Sequence, residues 1–289
     1  MTASRTLLSK LIRHTRRALA LPALALASAA LVLPQSAQAL TVMLNFTGSS
    51  TTDMWGVTTE SESFASWGFN MSLSQMRSAA LAAVIDDFHG FPNLGGDANS
   101  PLPVGKQLNI DFEISFGLTA PTSGDSDYYF MNIGNAVPNQ GFLGQACYGC
   151  VRGSGSPAAV GTQVGSVLTD TIASLLALAD NDTERLNLLV GTLTHEIGHT
   201  LLLPHPTGPQ ANPGESIYSV MSTGAAPTSM PNSHRILDRD FSYTEFQTLI
   251  RTVGLRDIPI NQVPEPATWL LVAAAALMAG RRRSATTLH

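Results

Sequence analysis

The chain is poor in cysteine, in lysine and in charge generally, and each shortage removes a class of protein. Only 2 of its 289 residues are cysteine and 13% are charged. Two cysteines exclude a disulfide-dense scaffold and a four-cysteine zinc site. Residues 40–262 hold 20 acidic side chains against 8 basic ones, and Lys106 is their single lysine. So acidic a stretch has no electropositive face to offer a phosphate backbone, and no nucleic-acid partner is expected. There is no internal repeat.

The basic residues gather at the two ends. Arg5, Lys10, Arg13, Arg16 and Arg17 precede an apolar run over residues 18–33, and Ala37-Gln38-Ala39 supplies small residues for cleavage. Residues 1–39 therefore read as a secretory signal, with an uncleaved N-terminal anchor as the alternative. At the other end, Val263-Pro264-Glu265-Pro266 precedes an apolar run over 269–279, followed by Arg281, Arg282 and Arg283. A helix of that length reaches about 16 Å, against a hydrocarbon core of about 30 Å. It is short for a permanent span, and the arginines would hold it on the cytoplasmic side. Between these segments, residues 40–262 have the length of one domain. In an oxidising compartment Cys147 and Cys150 can close one disulfide around Tyr148-Gly149; free thiols are the alternative.

The densest chemistry lies in His195-Glu196-Ile197-Gly198-His199, continuing to His205. On a helix, positions i and i+4 share a face, so His195 and His199 can converge on one ion. Glu196 is turned away from that ion and is better placed to take a proton from a metal-bound water. Pro204 disfavours helix at Leu203 and lets the chain turn back, offering His205 as a third imidazole. Three imidazoles with a fourth position left open suit a catalytic Zn2+. Leu186, Leu189, Val190, Leu193, Ile197 and Leu201 form one apolar stripe, with both helical histidines roughly opposite it. Asn181 followed by Glu184 is a cap signal for the start of this helix.

This run resembles the active-site helix of the metzincin zinc peptidases, whose pattern is His-Glu-x-x-His-x-x-Gly-x-x-His with a methionine turn downstream. Tyr218-Ser219-Val220-Met221-Ser222 resembles that turn, which implies that Met221 lies beneath the metal. Two positions depart from the pattern. Leu202 replaces the glycine that takes a left-handed conformation, at a cost of about 1–2 kcal/mol if Leu must adopt it. Thr223 stands where several metzincins carry a tyrosine, so no tyrosine is assigned to catalysis. The C-terminal segment resembles a PEP-CTERM sorting tail. That resemblance implies an exosortase partner at the inner membrane, transient membrane association, and delivery from the periplasm to the surface or an exopolysaccharide matrix.

Coarse patterning gives a strand over 41–46, a helix over 72–88, strands over 108–118 and 128–133, and a loop over 90–105. A further helix is expected over 165–179, and the Ser242/Glu245 capping box opens a last helix ending at Val253. This order agrees with the α+β fold implied by the resemblance: an N-terminal twisted sheet with helices, an active-site helix, and an irregular C-terminal subdomain with methionine turn and final helix. The expected function is that of a secreted zinc endopeptidase acting on proteins or peptides, with Glu196 as general base. The alternative is a non-catalytic zinc-binding surface or biofilm-matrix protein. The strand over 128–133 is the expected edge for an extended substrate. Asp86, Asp87, Asp97, and Asp125 with Asp127 are either structural Ca2+ candidates or solvated acids. His89 and His234 have no partner at ligand spacing.

Overall fold

The computed structural model describes residues 39–90, 102–152 and 157–258. Both expected terminal signals, apart from Ala39, and Asp97 lie outside the described residues, as does most of the expected loop over 90–105. Within them the fold is α+β: a mixed sheet with four α-helices. No helix among the described residues is long and apolar enough to cross a membrane.

The sheet is built on β1 (Leu40–Phe46), whose seven residues are all buried. It runs parallel between β5 (Ile110–Ser115) and β6 (Tyr128–Ala136). On its far side β6 pairs in parallel with β8 (Gln163–Leu168) and then, antiparallel, with β3 (Thr58–Glu60), which pairs with β2 (Thr51–Thr52). The last strand beyond β8 is β7 (Gly144–Ala146), antiparallel to it. A separate two-stranded pair joins β4 (Lys106–Leu108) to β9 (Leu255–Asp257).

Helix α1 (Leu73–His89) starts at Ser72, whose side chain exchanges a reciprocal capping box with Gln75. It packs against α3 (Asp182–Thr200). The two are pinned where the buried Thr194 hydroxyl donates to Asp87. The short helix α2 (Thr169–Ala173) follows β8, and α4 (Tyr243–Val253) closes the fold from the Ser242/Glu245 capping box. One apolar cluster runs from the sheet through both long helices to Val220, Met221 and Phe241.

Three expectations are corrected. Residues 165–179 are not one helix: they open as strand β8 and continue in α2 and a 3-10 turn over Leu176–Leu178. Val164, Ser166, Val167 and Leu168 are all buried in a sheet interior, and a short strand buried on both faces carries no period that separates strand from helix. The strand over 108–118 breaks at Asn109 into β4 and β5, which belong to different sheets, and ends at Ser115. The strand over 128–133 is interior, flanked by β1 and β8, so it offers no edge to a substrate. The edge strand beyond it on the β8 side is β7, paired on one side only.

Candidate metal centre

Helix α3 is set by its first turn. The Asn181 side chain accepts from the Glu184 amide at 3.0 Å, and Asp182 and Glu184 place negative charge at the positive end of the helix. Leu189, Val190, Leu193, Ile197 and Leu201 are buried as the apolar stripe requires. That burial fixes the rotation of the helix and leaves His195 and His199 half-buried at a cleft.

The helix ends in a Schellman turn. Leu202 N–H donates to the His199 carbonyl at 3.1 Å, and Leu203 N–H to the Gly198 carbonyl at 3.0 Å. Leu202 itself is left-handed, with φ 73°. The leucine thus adopts the glycine conformation at a cost of about 1–2 kcal/mol. Contacts around it compensate. Cys147 and Cys150 are joined as a disulfide, and the loop they close covers the helix end. Gly149 N–H donates to the His199 carbonyl at 2.8 Å, the Tyr148 hydroxyl to the Leu202 carbonyl at 3.0 Å, and Val151 N–H to the Thr200 carbonyl at 3.3 Å. The loop thus adds partners for the His199, Thr200 and Leu202 carbonyls at the end of the helix, where backbone carbonyls lack the full helical set of donors.

The turn returns His205 to its partners. The three Nε2 atoms form a triangle: 3.1 Å from His195 to His199, 3.1 Å from His195 to His205, and 2.9 Å from His199 to His205. Two tautomers follow from the backbone. Nδ1–H of His195 donates to the Val220 carbonyl at 2.9 Å, and Nδ1–H of His199 to the Leu203 carbonyl at 2.7 Å. Each ring then presents its Nε2 lone pair to the centre, so the short His195–His199 separation is two acceptors facing each other, not a hydrogen bond. Burial lowers all three histidines, His199 to about 4, which keeps them neutral. Converging lone pairs on neutral rings call for a cation. A tetrahedral zinc with Zn–N of about 2.0–2.1 Å needs ligand nitrogens about 3.3 Å apart, so the residues fit the metal. This is the one group of three or more metal-ligating side chains among the described residues.

Glu196 lies beside the triple, 5% exposed, and desolvation raises it to about 8. Both line a cavity of about 510 Å³. Its room depends on Gly144 of β7, where a Cβ would stand 2.7 Å from Glu196 Cγ. Met221 is fully buried and packs on Gly198, where a Cβ would stand 2.5 Å from its sulfur. The preceding residues tie this turn to the rest of the fold: Val220 N–H donates to the Asp240 carbonyl at 2.9 Å, and the Ser219 hydroxyl to Glu245 at 2.9 Å.

The other candidates are placed elsewhere. His89 faces the Ile110 carbonyl and His234 the Ser216 hydroxyl. Asp125 accepts from Thr41 and Ser123, Asp127 pairs with Arg152, and Asp87 accepts from Thr194, so these acids have protein partners. Sequence patterning missed the β7 wall, too short at three residues to show a period, and the buried Arg239. It also missed Tyr148, whose place over the helix end follows from the disulfide loop.

No protein-family model and no curated protein matches the chain. Among solved structures, an archaemetzincin from Methanopyrus kandleri aligns over 76% of this chain and 98% of its own, at 14% identity and a TM-score of 0.36. The GM1-bound form of the ECX AB5 holotoxin aligns over 75% and 79%, at 12% identity and 0.33. Likenesses at this level decide nothing about function, and the chemistry is read from the site.

Proposed function

We propose that this protein is a zinc endopeptidase. The observation that carries the reading is the triangle of three Nε2 lone pairs with a buried carboxyl group beside it in an open cleft. His195, His199 and His205 would hold the ion, which when bound supplies Lewis acidity toward a water and a substrate carbonyl. The charge of the ion would favour the ionised form of Glu196 against the desolvation that raises it, and that carboxylate takes the proton from the attacking water and hands it to the leaving amine nitrogen. No tyrosine lines the cavity among the described residues, and the Tyr148 hydroxyl is engaged with the Leu202 carbonyl.

The β7 edge positions substrate. The Leu143 carbonyl and Cys147 N–H bond to β8, so by antiparallel alternation Gln145 does the same. Gly144 and Ala146 therefore turn their backbone groups to the open edge beside Glu196, where an extended peptide can add as a strand.

A non-catalytic metal-binding role would leave Glu196 without a purpose. A structural zinc needs no unligated carboxylate beside it, and here space is kept for one by a glycine. Glu196→Gln is the direct test. It should retain zinc by elemental analysis and lose about 10²–10⁴-fold in peptide turnover. Turnover near the unsubstituted rate would sink the mechanism.

Export through residues 1–39 and exosortase processing of the tail after residue 263 complete the proposal, giving a surface or matrix peptidase. They predict a surface-released form whose intact mass excludes both segments.

A further inference from the structure

The floor of the cavity holds polar atoms that the mechanism above does not use. Arg239 is 4% exposed and its Nε has no partner. Its other contacts are poor: Nη1 to the Val220 carbonyl at 3.5 Å and to the Met230 sulfur at 3.8 Å. Ser222, 1% exposed, leaves its hydroxyl unpaired. Both line the same cavity as the histidines, and Arg235 lines it with them. Arg235 makes one side-chain bond, from Nε to Asn232 at 3.1 Å. Neither arginine is in an ion pair with any described residue, and Asp87 and Asp238 act on Arg239 from beyond that range.

The location is specific. Gly191 lies one turn before His195, and a Cβ there would stand 2.3 Å from Arg239 Nη2, so the guanidinium rests on bare helix backbone. Four residues of helix span about 6 Å. That is the scale separating a peptide carbonyl at the histidines from the end of a neighbouring side chain. A buried cation whose nearest acids stand beyond ion-pair range is poorly compensated, and so is an unpaired buried hydroxyl. A planar guanidinium answers best to a carboxylate.

The geometry points to an anion pocket in which Arg239, Arg235 and the Ser222 hydroxyl bind a substrate carboxylate, that of an acidic side chain beside the scissile bond. That the carboxylate belongs to a substrate beside a scissile bond rests on the peptidase reading; the anion pocket itself does not. A free C-terminal carboxylate has the same chemistry and is the other source to be distinguished.

Three probes separate these cases on zinc-loaded, full-length protein carrying Glu196→Gln. They are a blocked hexapeptide with one Glu among alanines, its Gln counterpart, and the Gln peptide with a free C-terminal carboxylate. By calorimetry the Glu peptide should bind about 10- to 100-fold tighter than the Gln peptide, as charge-assisted hydrogen bonds would give. Arg239→Met should abolish that preference. Arg235→Met, at a less buried position, should reduce it where loss of Arg239 disturbs folding. Equal binding of Glu and Gln peptides, or a preference intact in both variants, overturns the pocket. Tight binding of the free-terminus peptide alone overturns the side-chain assignment. Cleavage of the same peptides by the unsubstituted protein is scored separately. Glu-selective binding without any cleavage would keep the pocket and remove the peptidase reading, whereas cleavage indifferent to Glu would do the reverse.

Discussion

The segment before His205 and the one after it are held by different means. Up to Thr200, a sheet with two packed helices is closed by periodic apolar faces and by ladders of backbone bonds, each backed by its neighbours. Residues 206–241 contain one 3-10 turn, Asn232–His234, yet they bury Val220, Met221, Met230, Arg239 and Phe241. Single polar contacts fix them: Asn212 to the Ser216 carbonyl at 3.0 Å, Ser216 with His234 at 3.0 Å, and Ser219 to Glu245 at 2.9 Å. The regular segment supplies stability and two of the three converging histidines. The irregular one supplies the carbonyl that aims His195, together with the floor beneath it.

That division can be broken by substitution. Leu44→Ala, in a fully buried position of β1, should cost about 2–5 kcal/mol in urea unfolding and leave the zinc affinity of the folded fraction unchanged. Ser219→Ala should cost less, about 1–3 kcal/mol, because it strands one side of a buried Glu245. Its effect on the metal should be the larger: about 10-fold weaker zinc binding in chelator competition, because Val220 follows directly and orients His195. If Leu44→Ala weakened zinc binding more than Ser219→Ala at matched folded fraction, the division would be wrong. Leu202→Gly, at the junction of the two segments, should be the smallest effect and a gain. Relief of the left-handed leucine is worth about 1 kcal/mol, or a melting temperature about 2–4 °C higher, with activity held or raised.

The same contrast explains what was legible in the sequence. The α3 stripe, its Asn181 cap, the Ser242/Glu245 capping box and the three histidines could be read because each rests on fixed local spacing. Strand β8 was mistaken for helix because burial on both faces erases the alternation that marks a strand. The interior place of β6 and the edge position of β7 depend on pairings between residues far apart in the chain, which no local window contains. Arg239 was invisible for the same reason: an arginine in an irregular stretch reads as a surface charge until the fold closes over it.

The hydrogen bond from His195 to the Val220 carbonyl also has a meaning for how much of the chain the site requires. All three histidines are present by residue 205, but Val220 lies further along the chain, and Glu245, which steadies the turn through Ser219, further still. A chain halted between those points would carry every ligand and no oriented site. A chain cut short before the last helix would therefore keep the three histidines but lose the contacts that orient His195, and with them the activity proposed above.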